Sequence, residues 1–205
     1  MTGRAIGIIR IAVWVICLSP LLHLILRGVT GGLGANPIES VTLSTGTWTL
    51  VLLLATLSVS PLKGLTRRPW LVSLRRVLGL SAFSYASLHF LTYVCLDKFF
   101  DLHEISGDVL RRPFITAGIA AYLLMVPLAA TSTARSIARI GAKRWQILHM
   151  LVYVSSIAGV VHFWWKVKAD IREPAVYASI LALLLGYRLV LWIRRFLAGG
   201  TSMRT

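Results

Sequence analysis

Six long runs of apolar residues recur along the chain, and short polar segments separate them. A helix that crosses a membrane needs about 20 predominantly apolar residues. On this criterion the pattern predicts membrane-spanning helices at approximately residues 6–26, 44–62, 77–96, 114–130, 145–165 and 175–193. The predicted fold class is therefore all-α: an integral membrane bundle of six helices that forms one domain over residues 1–205.

The first run has the charged start of a secretory signal peptide, with Arg4 and Arg10. However, it is longer than the roughly 7–15 apolar residues of a signal-peptide core, and no clear small-residue cleavage site follows it. We therefore expect it to remain in the protein as a membrane span.

Composition agrees with a membrane protein. Only 14% of the 205 residues are charged, against about a quarter in soluble domains. The net charge of +15 arises from short basic clusters between the apolar runs, which membrane topology explains better than nucleic-acid binding does. Cys17 and Cys95 form no CxxC motif and are interpreted as small buried hydrophobes rather than as a disulfide or a zinc site.

The distribution of charge predicts an orientation. The termini and the second and fourth inter-helix segments carry 14 Lys and Arg residues, whereas the opposite loops carry 7 together with all seven acids. Basic residues concentrate on the cytoplasmic side of membrane proteins, so both termini are predicted to be cytoplasmic. Arg188 lies within the last run, and we expect its side chain to extend towards the cytoplasmic surface.

Four of the five histidines lie in apolar runs: His23, His89, His149 and His162. His103 lies in an outer loop and is predicted to be a solvated polar residue. A histidine in hydrocarbon needs a partner, which is either a hydrogen-bonding group on another helix or a metal such as haem iron. For His23 we favour the hydrogen bond. No Asp or Glu lies in the middle of a span, although proton and ion pathways usually contain them.

Depth separates the remaining three histidines. His89 and His162 fall in the outer halves of their spans, and His149 falls near the inner end of its span. Since a helix rises 1.5 Å per residue, His149 and His162 are roughly 20 Å apart, too far to bind one iron. His149 and His162 therefore serve two separate sites, or only one of them is a ligand. His89 and His162 can share an outer haem between the third and fifth spans.

Two arginines stand at the inner end of the third span, Arg75 and Arg76. Guanidinium groups match the geometry of carboxylates, so both residues are candidate contacts for haem propionates. Simple anchoring of the span on the cytoplasmic side explains them equally well.

Four segments resemble the MsrQ (YedZ) family, the haem-binding membrane subunit of the bacterial periplasmic methionine sulfoxide reductase system. They are "LRRVLGLSAFSYASLHFLTYVCLD", "RRPFITAGI", "LAATSTARSIARIGAKRWQILHMLVY" and "VVHFWWKVK". That family is similar to the transmembrane domains of ferric reductases and NADPH oxidases. Those oxidases have two histidines on the third helix, whereas this chain has His89 with arginines near the inner position.

The resemblance implies an electron-transfer subunit of an oxidoreductase system rather than a stand-alone catalyst. Electrons would pass across the bacterial inner membrane from a cytosolic flavin reductase or the quinone pool. The acceptor would be a periplasmic molybdopterin-containing reductase that repairs oxidised methionine. The family's axial haem ligands map onto His89, His149 and His162. One or two haem b groups are implied, and so is FMN, for which no residues are assigned; a quinone site is a further candidate.

Two other functions stay open on the sequence. One is a ferric-reducing or quinol-linked transmembrane cytochrome b with a different acceptor. The other belongs to a different class: a haem-free transporter or membrane anchor in which the histidines form only structural hydrogen bonds.

Overall fold

The computed structural model describes residues 3–201, and in this range the chain is helical without any β-strand. The α-helices are α1 Gly3–Val29, α2 Pro37–Thr66, α3 Leu74–Leu91, α4 Leu102–Arg111, α5 Pro113–Ala130, α6 Ala134–Ile140, α7 Ala142–His149, α8 Leu151–Lys166 and α9 Arg172–Thr201. A 3₁₀ turn, Pro69–Ser73, leads into α3, and a π-helical turn, Thr92–Asp97, extends it.

Six segments are long and apolar enough to cross a membrane: Gly3–Val29, Pro37–Thr66, Pro69–Asp97, Pro113–Ala130, Ala142–Lys166 and Arg172–Arg194. Each contains one predicted span, so the all-α fold with six spans is confirmed and the chain is an integral membrane protein. The fifth span consists of α7 and α8, which meet at Met150. Arg204, which adds to the positive charge of the C-terminus, lies outside the described residues.

Helix caps explain why the observed helices are longer than the apolar runs. Asn36 accepts a hydrogen bond from the backbone N–H of Glu39, and Pro37 occupies the first turn of α2. Both features stabilise a helix start, so α2 begins seven residues before the predicted span. In the same way, Asp101 caps α4 and Thr133 caps α6. Two segments predicted as loops therefore contain short helices.

Helices α2, α3, α5 and α8 form the centre of the bundle, and α1 and α9 pack on its outside. Much of the apolar surface of α1 and α9 is exposed, as expected for helices that face lipid. Tyr85 fastens α1 to α3 next to Pro20: its hydroxyl donates to the carbonyl of Cys17 and accepts from the N–H of Leu21. The central helices are thus the ones positioned to enclose a ligand.

We call the end of the bundle that carries α4 and the acidic loops the α4 end, and the end that carries α6 and the arginine-rich segments the α6 end. At the α4 end, the Lys98 ammonium contacts the carboxylates of Asp108 at 3.0 Å and Glu104 at 3.3 Å. Asp108 also contacts Arg112 at 3.1 Å and accepts a hydrogen bond from the Tyr93 hydroxyl. This network, which is centred on the largely buried Lys98 and Asp108, ties the end of the third span to α4 and to the start of α5.

Replacing Lys98 by Met is expected to lower the free energy of unfolding by about 1.5–3 kcal/mol, because it removes the charged hydrogen bond to the nearly buried carboxylate of Asp108. Thermal unfolding of the purified protein measures this loss. Lys168→Met, which removes an exposed lysine from the same end, is the control and should leave the midpoint unchanged. An equal effect of both substitutions would show that only surface charge matters.

The same network predicts a dependence on pH. The hydrogen bond to Asp108 raises the pKa of Lys98. Burial raises the pKa of Asp108, but the Lys98 hydrogen bond and charge outweigh burial and the net pKa is lowered. The stability that Asp108 contributes to the fold is therefore fully present above its unfolded pKa of about 4, and it is lost as the pH falls through the lowered pKa of the folded state. The stability that Lys98 contributes is fully present below its unfolded pKa of about 10, and it is lost as the pH rises through the raised pKa of the folded state.

Candidate functional site

Two cavities lie one above the other in the centre of the bundle. The α4-end cavity has a volume of about 420 Å³, and the α6-end cavity has a volume of about 590 Å³. Both volumes are in the range of sites for small molecules and cofactors. Leu53 and Met125 line both cavities and so form the partition between them.

His89 and His162 face each other across the α4-end cavity. The centroids of their imidazole rings are 6.0 Å apart, and the ring planes are inclined at 80°. His89 Nδ1 lies 2.9 Å from the carbonyl oxygen of Thr42, and His162 Nδ1 lies 2.6 Å from that of Phe114. A carbonyl can only accept a hydrogen bond, so each Nδ1 carries the proton. Each Nε2 therefore keeps a lone pair that can bind a metal.

Glycines on the facing helices make room for both rings. A Cβ atom on Gly46 of α2 would lie 3.0 Å from Cε1 of His89, and one on Gly118 of α5 would lie 2.7 Å from Nδ1 of His162. In each case the glycine lies four residues after the residue whose carbonyl accepts the ring's hydrogen bond, Thr42 or Phe114. One helix pair, α2 with α3, thus repeats the arrangement of the other, α5 with α8.

The α4-end cavity fits a haem iron. With metal–nitrogen bonds of about 2 Å, two imidazoles on opposite sides of an iron have ring centroids about 6 Å apart. The observed separation is 6.0 Å. Metal-bound histidines commonly donate their other N–H to a backbone carbonyl, as both rings do here. Four charged residues line the cavity: the basic Arg112 and Lys166 and the acidic Glu39 and Asp97. The two basic groups are the ones that could bind the carboxylates of a haem. Neither was identified from the sequence, because each resembles an ordinary loop or helix-end cation.

His149 lies in the wall of the α6-end cavity, apart from His89 and His162, which line the α4-end cavity. Its ring stacks on Trp145 with centroids 3.8 Å apart, and its Nε2 lies 3.1 Å from the Thr131 hydroxyl oxygen. That hydroxyl donates its only hydrogen to the carbonyl of Pro127, so it accepts from His149. The lone pair of His149 is therefore on Nδ1, the reverse of the arrangement at His89 and His162.

Of the remaining two histidines and the two candidate arginines, the arginines line the α6-end cavity and the histidines lie on the surface of the bundle. Arg75 and Arg76 both line the α6-end cavity, Arg75 half-buried and Arg76 exposed. His103 is exposed, as predicted. The prediction that His23 hydrogen-bonds to another helix is wrong: its side chain is exposed on α1 and has no hydrogen bond to the described residues. Within residues 3–201, no group of three or more His, Cys, Asp or Glu side chains can hold a bare metal ion.

The family described as "Ferric reductase like transmembrane component" matches residues 42–160, which include α2 to most of α8. A relative from Ralstonia nicotianae is 50% identical over 94% of this chain and 89% of its own length. It is described as the protein-methionine-sulfoxide reductase heme-binding subunit MsrQ. The chain belongs to the MsrQ family. Other MsrQ relatives come from Bordetella parapertussis, at 49% identity over 95% of both chains, and from Caulobacter vibrioides, at 43% identity over 93% of this chain and 90% of the relative. No solved structure is significantly similar.

Membership of the MsrQ family confirms the resemblance found in the sequence, including its relation to ferric reductases. The ferric reductase match includes His89 and ends two residues before His162. The alignment with MsrQ relatives extends over more than nine-tenths of the chain. The family assignment therefore rests on the whole bundle and not on one motif.

Proposed function

We propose that the chain is a b-type haem protein that carries electrons across the bacterial inner membrane to a periplasmic molybdopterin methionine sulfoxide reductase. The observation that carries the proposal is the pair His89 and His162, whose rings are 6.0 Å apart with both Nδ1 atoms on backbone carbonyls. The names of the MsrQ relatives, which describe heme-binding subunits of a methionine sulfoxide reductase, support it.

In this proposal His89 and His162 would hold one haem b, each through its Nε2 atom. When bound, haem supplies the one-electron chemistry of its iron. The protein orients both imidazoles through Thr42 and Phe114 and leaves Nε2 free for the metal. Burial of the two rings among apolar side chains would keep water from a bound iron and would influence its reduction potential.

The orientation follows from charge. The arginine-rich α6 end is cytoplasmic, so electrons enter there from a cytosolic flavin reductase or the quinone pool. They leave at the α4 end, which carries all seven acids and faces the periplasmic reductase. His149 at the α6-end cavity belongs to the entry side, either as the single histidine ligand of a second haem or as a contact of another cofactor.

A reduced-minus-oxidised absorption spectrum of the purified protein, with haem and iron measured per chain, tests the function. We expect a b-type spectrum and at least one haem per chain. Reduced flavin, quinol and ferric chelates, offered separately, then distinguish the proposed route from that of a quinol-linked or ferric-reducing cytochrome. Colourless protein after expression with ample haem would contradict the proposal and favour a transporter or a membrane anchor.

A further inference from the structure

Two arginines from different helices meet at the wall of the α6-end cavity. Arg75 of α3 and Arg188 of α9 both donate to the hydroxyl oxygen of Ser60 on α2. Arg188 also donates to the carbonyl of Leu57 and to the hydroxyl of Tyr153, and its guanidinium lies 4.8 Å from the centroid of the Tyr153 ring.

The two guanidinium groups share one neutral acceptor, and neither forms an ion pair with a carboxylate in the part of the chain that the structure describes. The Nε atoms of Arg75 and Arg188 are buried and hydrogen-bond to no described residue. The cavity wall includes a third cation, Arg76, and no carboxylate among its described lining residues. All seven acids of the chain lie in the segments at the other end of the bundle. Like charges held close together in a medium of low dielectric repel strongly unless an anion lies between them.

We infer that Arg75 and Arg188 form an anion-binding subsite of the α6-end cavity, and that its ligand is a planar cofactor carrying carboxylate or phosphate. Guanidinium groups bind both kinds of anion through paired hydrogen bonds. The stacked rings of Trp145 and His149 line the same cavity and supply an aromatic wall for a planar ring. A haem, through its propionates, and a flavin nucleotide, through its phosphate, share this chemistry, whereas a quinone lacks the anion.

This inference rests on the proposed function, because it assigns the cofactor class of the site where electrons enter. It also goes beyond that function, because it assigns Arg188 a role in binding and makes recognition depend on the ligand's charge. A site that held its ligand only by coordination to His149 would not distinguish a charged ligand from its neutral analogue.

The test compares charged and neutral forms of each ligand. Equilibrium dialysis of the protein in lipid nanodiscs measures the binding of FMN against riboflavin, and of haem against haem dimethyl ester. We expect the charged member of at least one pair to bind about tenfold to a hundredfold more tightly to the wild-type protein. A preference within the FMN pair identifies the phosphate as the anion, and a preference within the haem pair identifies the propionates.

The double substitution Arg75→Gln and Arg188→Gln is expected to reduce this preference to less than about twofold. Lys63→Gln is the control, because Lys63 is exposed one turn beyond Ser60 on α2 and does not line the cavity. The absorption of the haem at His89 and His162 reports whether the double variant is folded. The inference is overturned if wild-type protein binds both members of both pairs equally, if the double variant keeps the preference, or if Lys63→Gln abolishes it.

Failure of the proposed function has a different signature. In that case the wild-type protein lacks the b-type spectrum of the α4-end cavity, while the FMN and riboflavin comparison is still measurable. The two failures are therefore observed separately.

Discussion

His89→Ala and His162→Ala are each expected to remove one haem per chain. Either substitution eliminates an Nε2 lone pair aimed into the α4-end cavity, and it leaves the opposite imidazole alone across a 6.0 Å gap between ring centroids. Changes to groups that merely support a metal ligand cost about 10–100-fold in affinity, so loss of the ligand itself should exceed that. Haem per chain, measured after detergent purification, and the reduced-minus-oxidised spectrum record the loss.

His103→Ala provides the matched control, because it removes an imidazole from an exposed position on α4. It should keep the wild-type haem content and spectrum. A wild-type spectrum in either His89→Ala or His162→Ala would refute the assignment of these residues as a ligand pair.

Gly118→Ala is expected to weaken haem binding by about 10–100-fold, although glycine and alanine differ by one methyl group. The new Cβ would lie 2.7 Å from Nδ1 of His162, so the ring must shift, and we expect the shift to disrupt its hydrogen bond to the carbonyl of Phe114. Without this bond, neither the orientation nor the protonated nitrogen of the imidazole is fixed. Gly46→Ala should have a smaller effect, because its Cβ would lie 3.0 Å from His89 Cε1.

Titration of haem into the haem-depleted protein measures these affinities. Gly186→Ala is the control: Gly186 also lies in a membrane-spanning helix, but a Cβ there meets nothing within 4 Å. If Gly118→Ala bound haem as tightly as Gly186→Ala, clearance for the His162 ring would not govern the site.

The sequence predicts the spans well because hydrocarbon thickness demands a fixed length of apolar helix. It does not predict their ends, since polar caps such as Asn36 extend helices into the interface. Span depth suffices to group His89 with His162 and to separate His149, because depth depends only on residue number. Their roles as haem ligands remain a prediction.

The partners of these residues could not be predicted, because helix rotation decides them. The spans are apolar on all sides, so their sequences do not indicate which side faces a neighbour. The contact of Gly118 with His162, and that of Arg188 with Ser60, depend on how α5 and α9 are turned. The same reason explains the wrong prediction for His23, whose side of α1 faces away from the bundle.

The partition formed by Leu53 and Met125 has an electrical consequence. Hydrocarbon and thioether groups offer no relay for protons, whereas an electron can tunnel through a thin layer of packed atoms. In the proposed function, negative charge therefore crosses the membrane without an accompanying proton. Each electron moves outwards from the negative side, and the membrane voltage contributes about 2.3 kcal/mol per 100 mV to a full crossing. Repair of periplasmic proteins would then draw on the cell's membrane potential as well as on its reductant.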